Sequence, residues 1–313
     1  MNFFRIHRAL VIFVLLSGGC SDRSSAATIR FQPVADTTLV EIAPDSNMGA
    51  TWFLNAGTAG SSGLRNRGLY QFDFSSIPAH SKIKFAAVTL EVTREPSGGG
   101  PSSSFALHRM LKSWGEGDKN STEVGSPGLG FPASTNEATW NARFAFTTNT
   151  WTFPGASNDF AAAVSSSTVV YGVALFPFFD STPQMIADVQ SWLNDPPSNF
   201  GWLLKTESES TARTARSFGS REFAGIDTNS PPYLEVEFIP PPIISGEQIA
   251  NGRFEFSFLA ESNQSYVVEF KDAVMPINPW LTLTNLGASI AATNVLVSDT
   301  LSTNTRFYRV SLP

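Results

Sequence analysis

Charge, cysteine and histidine are all scarce in this sequence. Asp, Glu, Lys and Arg make up only 15% of its 313 residues, against about 25% in an average soluble domain. Hydrophobic residues reach 42%, enough apolar surface for a sizeable core, which excludes wholesale disorder. A single cysteine excludes an intrachain disulfide framework. There are three histidines, and one, His7, lies in a segment expected to be removed. His80 and His108 alone cannot supply the three or four ligands of a zinc site. No H-E-x-x-H and no G-x-S-x-G occurs. Long apolar runs are missing except at the extreme N-terminus, which excludes a multi-span membrane protein. Lys plus Arg is 21 and Asp plus Glu is 27, a net charge of −6. That balance argues against a nucleic-acid binder, which needs a cationic face for the phosphates.

What is present begins with an export signal. Arg5, His7 and Arg8 precede the apolar run Ala9 to Leu16 (ALVIFVLL), too short to cross a bilayer, which takes about 20 helical residues. It fits the h-region of a secretory signal. Ser17-Gly18-Gly19-Cys20 resembles a lipobox, with Cys20 as the lipidated residue, although Leu16 sits one position too early. The rival is Ser25-Ala26-Ala27, with cleavage before Thr28. Either route takes the chain out of the cytoplasm. It would become a cell-surface or outer-membrane lipoprotein, anchored to the membrane through Cys20, or a freely secreted protein.

Beyond residue 27 the pattern has a period of two. Ala86, Val88, Leu90 and Val92 alternate with Ala87, Thr89, Glu91 and Thr93. Val169, Tyr171, Val173 and Leu175 repeat the pattern, as do Leu234, Val236 and Phe238. Each reads as a strand with one buried face. The 26 phenylalanines suit two interdigitating sheets. One helix is expected after Asp180-Ser181-Thr182-Pro183, with a stripe of Ile186, Val189 and Leu193, stopped by Asp195-Pro196-Pro197. Pro240 to Pro242 reads as a stiff linker. The expected architecture is therefore all-β. A jelly-roll-like antiparallel sandwich over 28–239, with one short helix, is followed by a small C-terminal sandwich over 243–313.

The large domain resembles the DNRLRE-domain family of extracellular β-sandwich modules. The resemblance rests first on Leu69-Tyr70-Gln71-Phe72-Asp73-Phe74-Ser75-Ser76-Ile77-Pro78. It continues through Leu107-His108-Arg109, Ser113-Trp114-Gly115-Glu116-Gly117 and Ala138-Thr139-Trp140. Further on come Asp188-Val189-Gln190-Ser191-Trp192-Leu193, Asn199-Phe200-Gly201-Trp202, Phe218-Gly219-Ser220-Arg221-Glu222 and Pro232-Tyr233-Leu234-Glu235-Val236. These motifs span about residues 30 to 238. The resemblance implies an extracellular module of a family that includes carbohydrate-binding members. The C-terminal piece, ending Arg306-Phe307-Tyr308-Arg309-Val310, is similar to small fibronectin-III-like modules of bacterial surface proteins.

Candidate chemistry is mostly that of binding. Sugars stack C–H faces on aromatic rings and hydrogen-bond through their hydroxyls. Anionic glycans also attract arginine forks. The ligand-binding candidates are Arg65 and Arg67, Trp52, Trp114 and Trp151, and Arg221. Trp140, Trp192 and Trp202 read as core. Arg65 to Lys119 holds eight basic against five acidic residues. A plainer reading pairs Arg67 with Asp73 and leaves Arg65 solvated. Glu116, Asp118, Glu137 and Glu222 are the carboxylates a glycosidase would use. Asp36 and Glu222 are candidates for a structural Ca2+ site, although Arg221–Glu222 also reads as an internal ion pair. His80 is expected solvated in a turn and His108 partly buried in a strand. The leading expectation is an exported, non-catalytic polysaccharide-binding or adhesion protein, with anionic polysaccharides among its candidate ligands. The alternatives are a polysaccharide-degrading hydrolase or lyase and a purely structural surface protein.

Overall fold

A computed structural model describes residues 26–60, 63–121, 128–224, 231–273, 279–300 and 305–313. Cys20 and the rest of the expected leader up to Ser25 lie outside the described residues. The chain forms two compact units, one of Thr28–Ile77 with Ile83–Phe238 and one built on Ile239–Pro313.

The first unit opens with β1 (Ala27–Phe31), β2 (Pro33–Val40), β3 (Ser46–Asn47), β4 (Phe53–Thr58) and β5 (Arg65–Phe72). Next come β6 (Lys82–Thr89), β7 (Val92–Arg94), β8 (Ser103–Met110), β9 (Phe131–Pro132) and β10 (Phe160–Val170). β11 (Phe178–Phe179) leads to α1 (Pro183–Asn194), then β12 (Trp202–Thr206), β13 (Arg216–Gly219), the short α2 (Arg221–Ala224) and β14 (Tyr233–Ile239). One sheet runs β1-β14-β6-β11 and the other β10-β8-β12-β5-β4-β13-β7, with β2 also on β5. Tyr70, Phe72, Phe105, Trp192, Trp202 and Phe218 are buried almost completely. Edge-on contacts such as Trp192–Trp202, 4.6 Å between ring centroids, lock the helix α1 onto the sheet through aromatic packing.

α1 forms where capping chemistry places it. Thr182 Oγ1 accepts from the Met185 N–H at 3.0 Å, and Pro183 stands in the first turn. The buried face is Met185, Val189, Trp192 and Leu193, so Val189 and Leu193 lie in it as expected, whereas Ile186, also expected in it, is only half-buried. The helix is rotated because Asp188 is buried too. Its Oδ2 accepts from Ser165 Oγ (2.5 Å) and Trp202 Nε1 (3.2 Å), fixing the inward face.

Two strand expectations need correction. In β6 both Ala87 and Thr89 are buried along with Ala86 and Val88, so over this stretch neither face of the strand meets solvent. Val169, Tyr171, Val173 and Leu175 are all exposed, not buried. β10 is a sheet edge that stops at Val170, after which the chain turns, with Ala174 left-handed at φ 57°, toward the other sheet.

The second unit contains β15 (Ser245–Ala250), β16 (Arg253–Ala260), β17 (Tyr266–Lys271), β18 (Leu281–Leu286), β19 (Thr293–Thr300) and β20 (Phe307–Ser311). They form two three-stranded sheets, β15-β16-β19 and β18-β17-β20. Phe254, Phe256 and Phe258 turn inward with Tyr266, Val268, Val297 and Val310, as alternation along the strand requires.

Candidate binding site

A cleft of about 810 Å3 opens in the first unit between the chain after β7, the approach to β13 and the floor strands β4 and β5. Phe53, Asn55, Asn66 and Ser217 line the floor, and among the described residues the lining also holds Arg94, Arg213, the buried Arg216 and a single acid, Glu95. Three guanidinium groups against one carboxylate make this a cationic hollow on an acidic protein, a field that attracts anions.

Each arginine is held by a different means. Arg94 is exposed, and its guanidinium carbon lies 4.8 Å from the Phe53 ring centroid and 5.8 Å from that of Trp52, a cation–π seat that leaves its N–H groups without a partner among the described residues. Arg213 adopts the left-handed region at φ 65°, which is disfavoured for a side chain of this size. Its Nη2 donates to the carbonyls of Ser97 (2.7 Å) and Gly99 (2.6 Å). Arg216 is buried and donates to the carbonyls of Tyr171 (2.7 Å), Pro101 (3.0 Å), Ala215 (3.0 Å) and Thr214 (3.2 Å), with longer bonds to Gly100 and Arg213. Burial lowers its pKa while the Glu95 charge works against that shift. Gly100 permits the close approach, since a Cβ there would fall 2.2 Å from the Arg213 oxygen.

The residues singled out from sequence lie elsewhere. Arg65 forms a fork with Glu41 (2.6 and 2.9 Å) and is therefore not a free donor. Arg67, only 3% exposed, pairs with Glu209 at 2.7 and 2.8 Å, not with Asp73, and also donates to Gly155 and Ser157. Trp114 and Trp151, both named as ligand-binding candidates, are instead buried in one core cluster with Trp140. Their indole N–H groups are committed to Phe200 O (2.9 Å) and Thr139 O (2.8 Å). Trp52 is half-buried beneath Arg94 and borders the cleft floor through Phe53. Sequence reasoning missed Arg213 and Arg216 because they lie far along the chain from the basic stretch it counted. Two arginines three apart, entering a strand from a Ser/Thr-rich loop, were the available signal.

The carboxylates form a separate cluster. Glu116 Oε1 accepts from the Asp36 N–H (3.0 Å) and from Arg221 Nε (3.1 Å) and Nη2 (3.0 Å), and Glu222 Oε1 pairs with the same Nη2 at 2.9 Å. Asp36 Oδ2 accepts from the Arg221 N–H at 2.6 Å. Calcium takes six to eight oxygen ligands, and here the Arg221 guanidinium engages Glu116 and Glu222 while its main-chain N–H engages Asp36. Asp36 and Glu222 do not fit a calcium cage. Among the described residues no group of three or more His, Cys, Asp or Glu is placed to hold a metal ion. Among the described residues, Asp36 Oδ1 is buried without a hydrogen-bond partner. Burial, then the Glu222 charge, pushes this carboxyl well above the usual range, the direction that favours its protonated form. Burial also raises Glu116. Glu137 accepts from the N–H groups of Asp118 (3.1 Å) and Ser134 (2.6 Å), and Asp118 pairs with Lys119. His80 is exposed in its turn. His108 is largely buried, with Nδ1 2.9 Å from the Ala161 carbonyl, and burial lowers its pKa.

The chain matches no family model and no curated protein.

Proposed function

We propose that this chain is an exported, non-catalytic polysaccharide-binding or cell-surface adhesion protein whose Arg94–Arg213–Arg216 cleft takes acidic sugar units. The observation that carries the reading is the cleft itself, with three arginines, one glutamate and a polar floor of Asn55, Asn66 and Ser217. Carboxylates of a uronate chain suit forked donors, and the hydroxyls suit the amides. The resemblance of residues 30 to 238 to DNRLRE modules supports the same reading. Residues 1–27 would direct export. Lipidation at Cys20 would then tether the chain to a membrane, or cleavage before Thr28 would release it.

The enzymatic alternative draws on Glu116, whose raised carboxyl is the property of a general acid. Its oxygen is engaged by Arg221 and by the Asp36 N–H, which favours a scaffold role. Calorimetric titration with polygalacturonate tests the binding reading. The double variant Arg94→Ala/Arg213→Ala should weaken binding tenfold or more. Unchanged affinity, or reducing-end release by the wild type, would reject it.

A further inference from the structure

The segment after β10 carries a second surface that the cleft does not use. Of the exposed large hydrophobic side chains in the first unit, Val164, Val169, Tyr171, Val173, Leu175, Phe176 and Phe178 all fall within fifteen residues. Tyr171 is 61% exposed, Phe176 58% and Phe178 46%. Withdrawing one such side chain from water is worth about 1.5–3 kcal/mol, and contiguous exposed patches of this kind mark interaction sites.

The backbone explains why the two phenyls stand together. Residues 174–179 run antiparallel to 88–92. The Ala174 N–H donates to Val92 O (2.9 Å), Val92 N–H to Leu175 O (3.0 Å) and Leu90 N–H to Pro177 O (3.1 Å), and Phe178 lies opposite Thr89. Pro177 and Phe179 are buried, Phe176 and Phe178 exposed. The two rings therefore share the outer face, two strand residues or about 6.6 Å apart. The same register sets Glu91 opposite Phe176, on the same face. Glu91 is half-buried, and among the described residues its carboxylate has no hydrogen-bond or ion-pair partner. The patch also adjoins the cleft, since Val173 lines it and the Tyr171 carbonyl receives Arg216.

We propose that Phe176 and Phe178, flanked by Glu91, form a second sugar subsite that takes an uncharged pyranose. The phenyl faces cover the C–H face of the ring, and Glu91 accepts hydrogen bonds from adjacent hydroxyls. An anionic sugar is repelled there by Glu91 and drawn instead to the arginine cleft. The proposal rests on the polysaccharide reading and divides its ligand into an acidic and a neutral portion.

The test uses the full chain in affinity gels containing polygalacturonate or one of three neutral polymers: hydroxyethyl cellulose, xylan and galactomannan. At least one neutral polymer should retard the wild type. Phe176→Ser/Phe178→Ser should lose that retardation at least tenfold while keeping polygalacturonate binding, and Arg94→Ala/Arg213→Ala should do the reverse. Both pairs lie at the surface, and matching thermal melts confirm that each variant is folded. Retardation by a neutral polymer without polygalacturonate binding overturns the cleft and supports the ridge. No retardation by any neutral polymer, or none lost in the phenylalanine variant, overturns the ridge. Light scattering that shows a dimer dispersed by the same variant assigns the ridge to a second copy and overturns it as well.

Discussion

The main-chain N–H of Arg221 donates to Asp36 Oδ2 at 2.6 Å, while the guanidinium of the same residue is held by Glu116 and Glu222. One residue thus ties the start of α2 to β2, and the Asp36 oxygen left over has no partner among the described residues.

Stability should fall with rising pH because of this arrangement. The Asp36 carboxyl is raised by burial and by Glu222 and Glu116, against the opposing N–H and charge of Arg221. The folded state therefore holds the proton more tightly than the unfolded chain. The contribution is fully present below the ordinary Asp value, about pH 4, and is lost as pH climbs toward the folded value. The loss can reach about 1.4 kcal/mol per pH unit. Asp36→Asn removes this proton. Thermal melts from pH 4 to 9 should show a flatter decline in the variant, and parallel curves would refute a neutral Asp36.

Arg65 and Arg67, two positions apart on β5, should differ sharply in stability. Arg67 is nearly inaccessible, and its removal strands the Glu209 carboxylate, which retains only some solvent access. Breaking a pair of this kind costs about 3 kcal/mol. The Arg65–Glu41 pair is substantially exposed, and such pairs contribute about 0–1 kcal/mol. Urea denaturation of Arg67→Ala and Arg65→Ala should therefore separate widely, and neither variant should alter polygalacturonate affinity directly.

Legibility in the sequence followed whatever each segment's side chains had to bury. Phe254, Phe256 and Phe258 face a core on one side only, so their alternation announces β16. β15, Ser245–Ala250, is exposed up to Ile249 and only half-buried at Ala250, so no hydrophobic pattern marks it. Val169, Tyr171, Val173 and Leu175 alternate as regularly as any buried strand and are exposed, because periodicity reports sidedness without saying which side meets a partner. The arginine cleft assembles β4, β7 and β13, and only tertiary pairing joins them: Phe218 to Leu54 and to Val92. Trp114 and Trp151 neighbour loops in sequence, yet those loops fold over one core cluster.

Gly100→Ala should damage the cleft more than an ordinary loop substitution would. The added methyl carbon would sit 2.2 Å from the Arg213 carbonyl oxygen and 3.1 Å from Arg216 Nη1, and neither backbone can yield without losing the Arg216 bonds. Polygalacturonate affinity should drop severalfold. The nearby Gly99→Ala meets no atom within 4 Å. It should carry only the strain of its φ of 79°, about 1 kcal/mol, with little change in affinity.

Arg216 gives the most direct separation of charge from shape. Its fork reaches carbonyls from three segments, at Gly100–Pro101, Tyr171 and Arg213–Ala215. Lysine keeps the positive charge but offers three donors on a single nitrogen, with no planar fork to span the three. Each buried carbonyl left without a donor costs about 1–3 kcal/mol, so Arg216→Lys should lose about 3 kcal/mol in urea unfolding even though the charge is retained. If the cleft depended on charge alone, the lysine variant would bind polygalacturonate like the wild type. Because the segments carrying Arg213 and Tyr171 are registered through this one side chain, affinity should instead fall in step with stability, and a lysine variant with native affinity and native stability would refute the clamp.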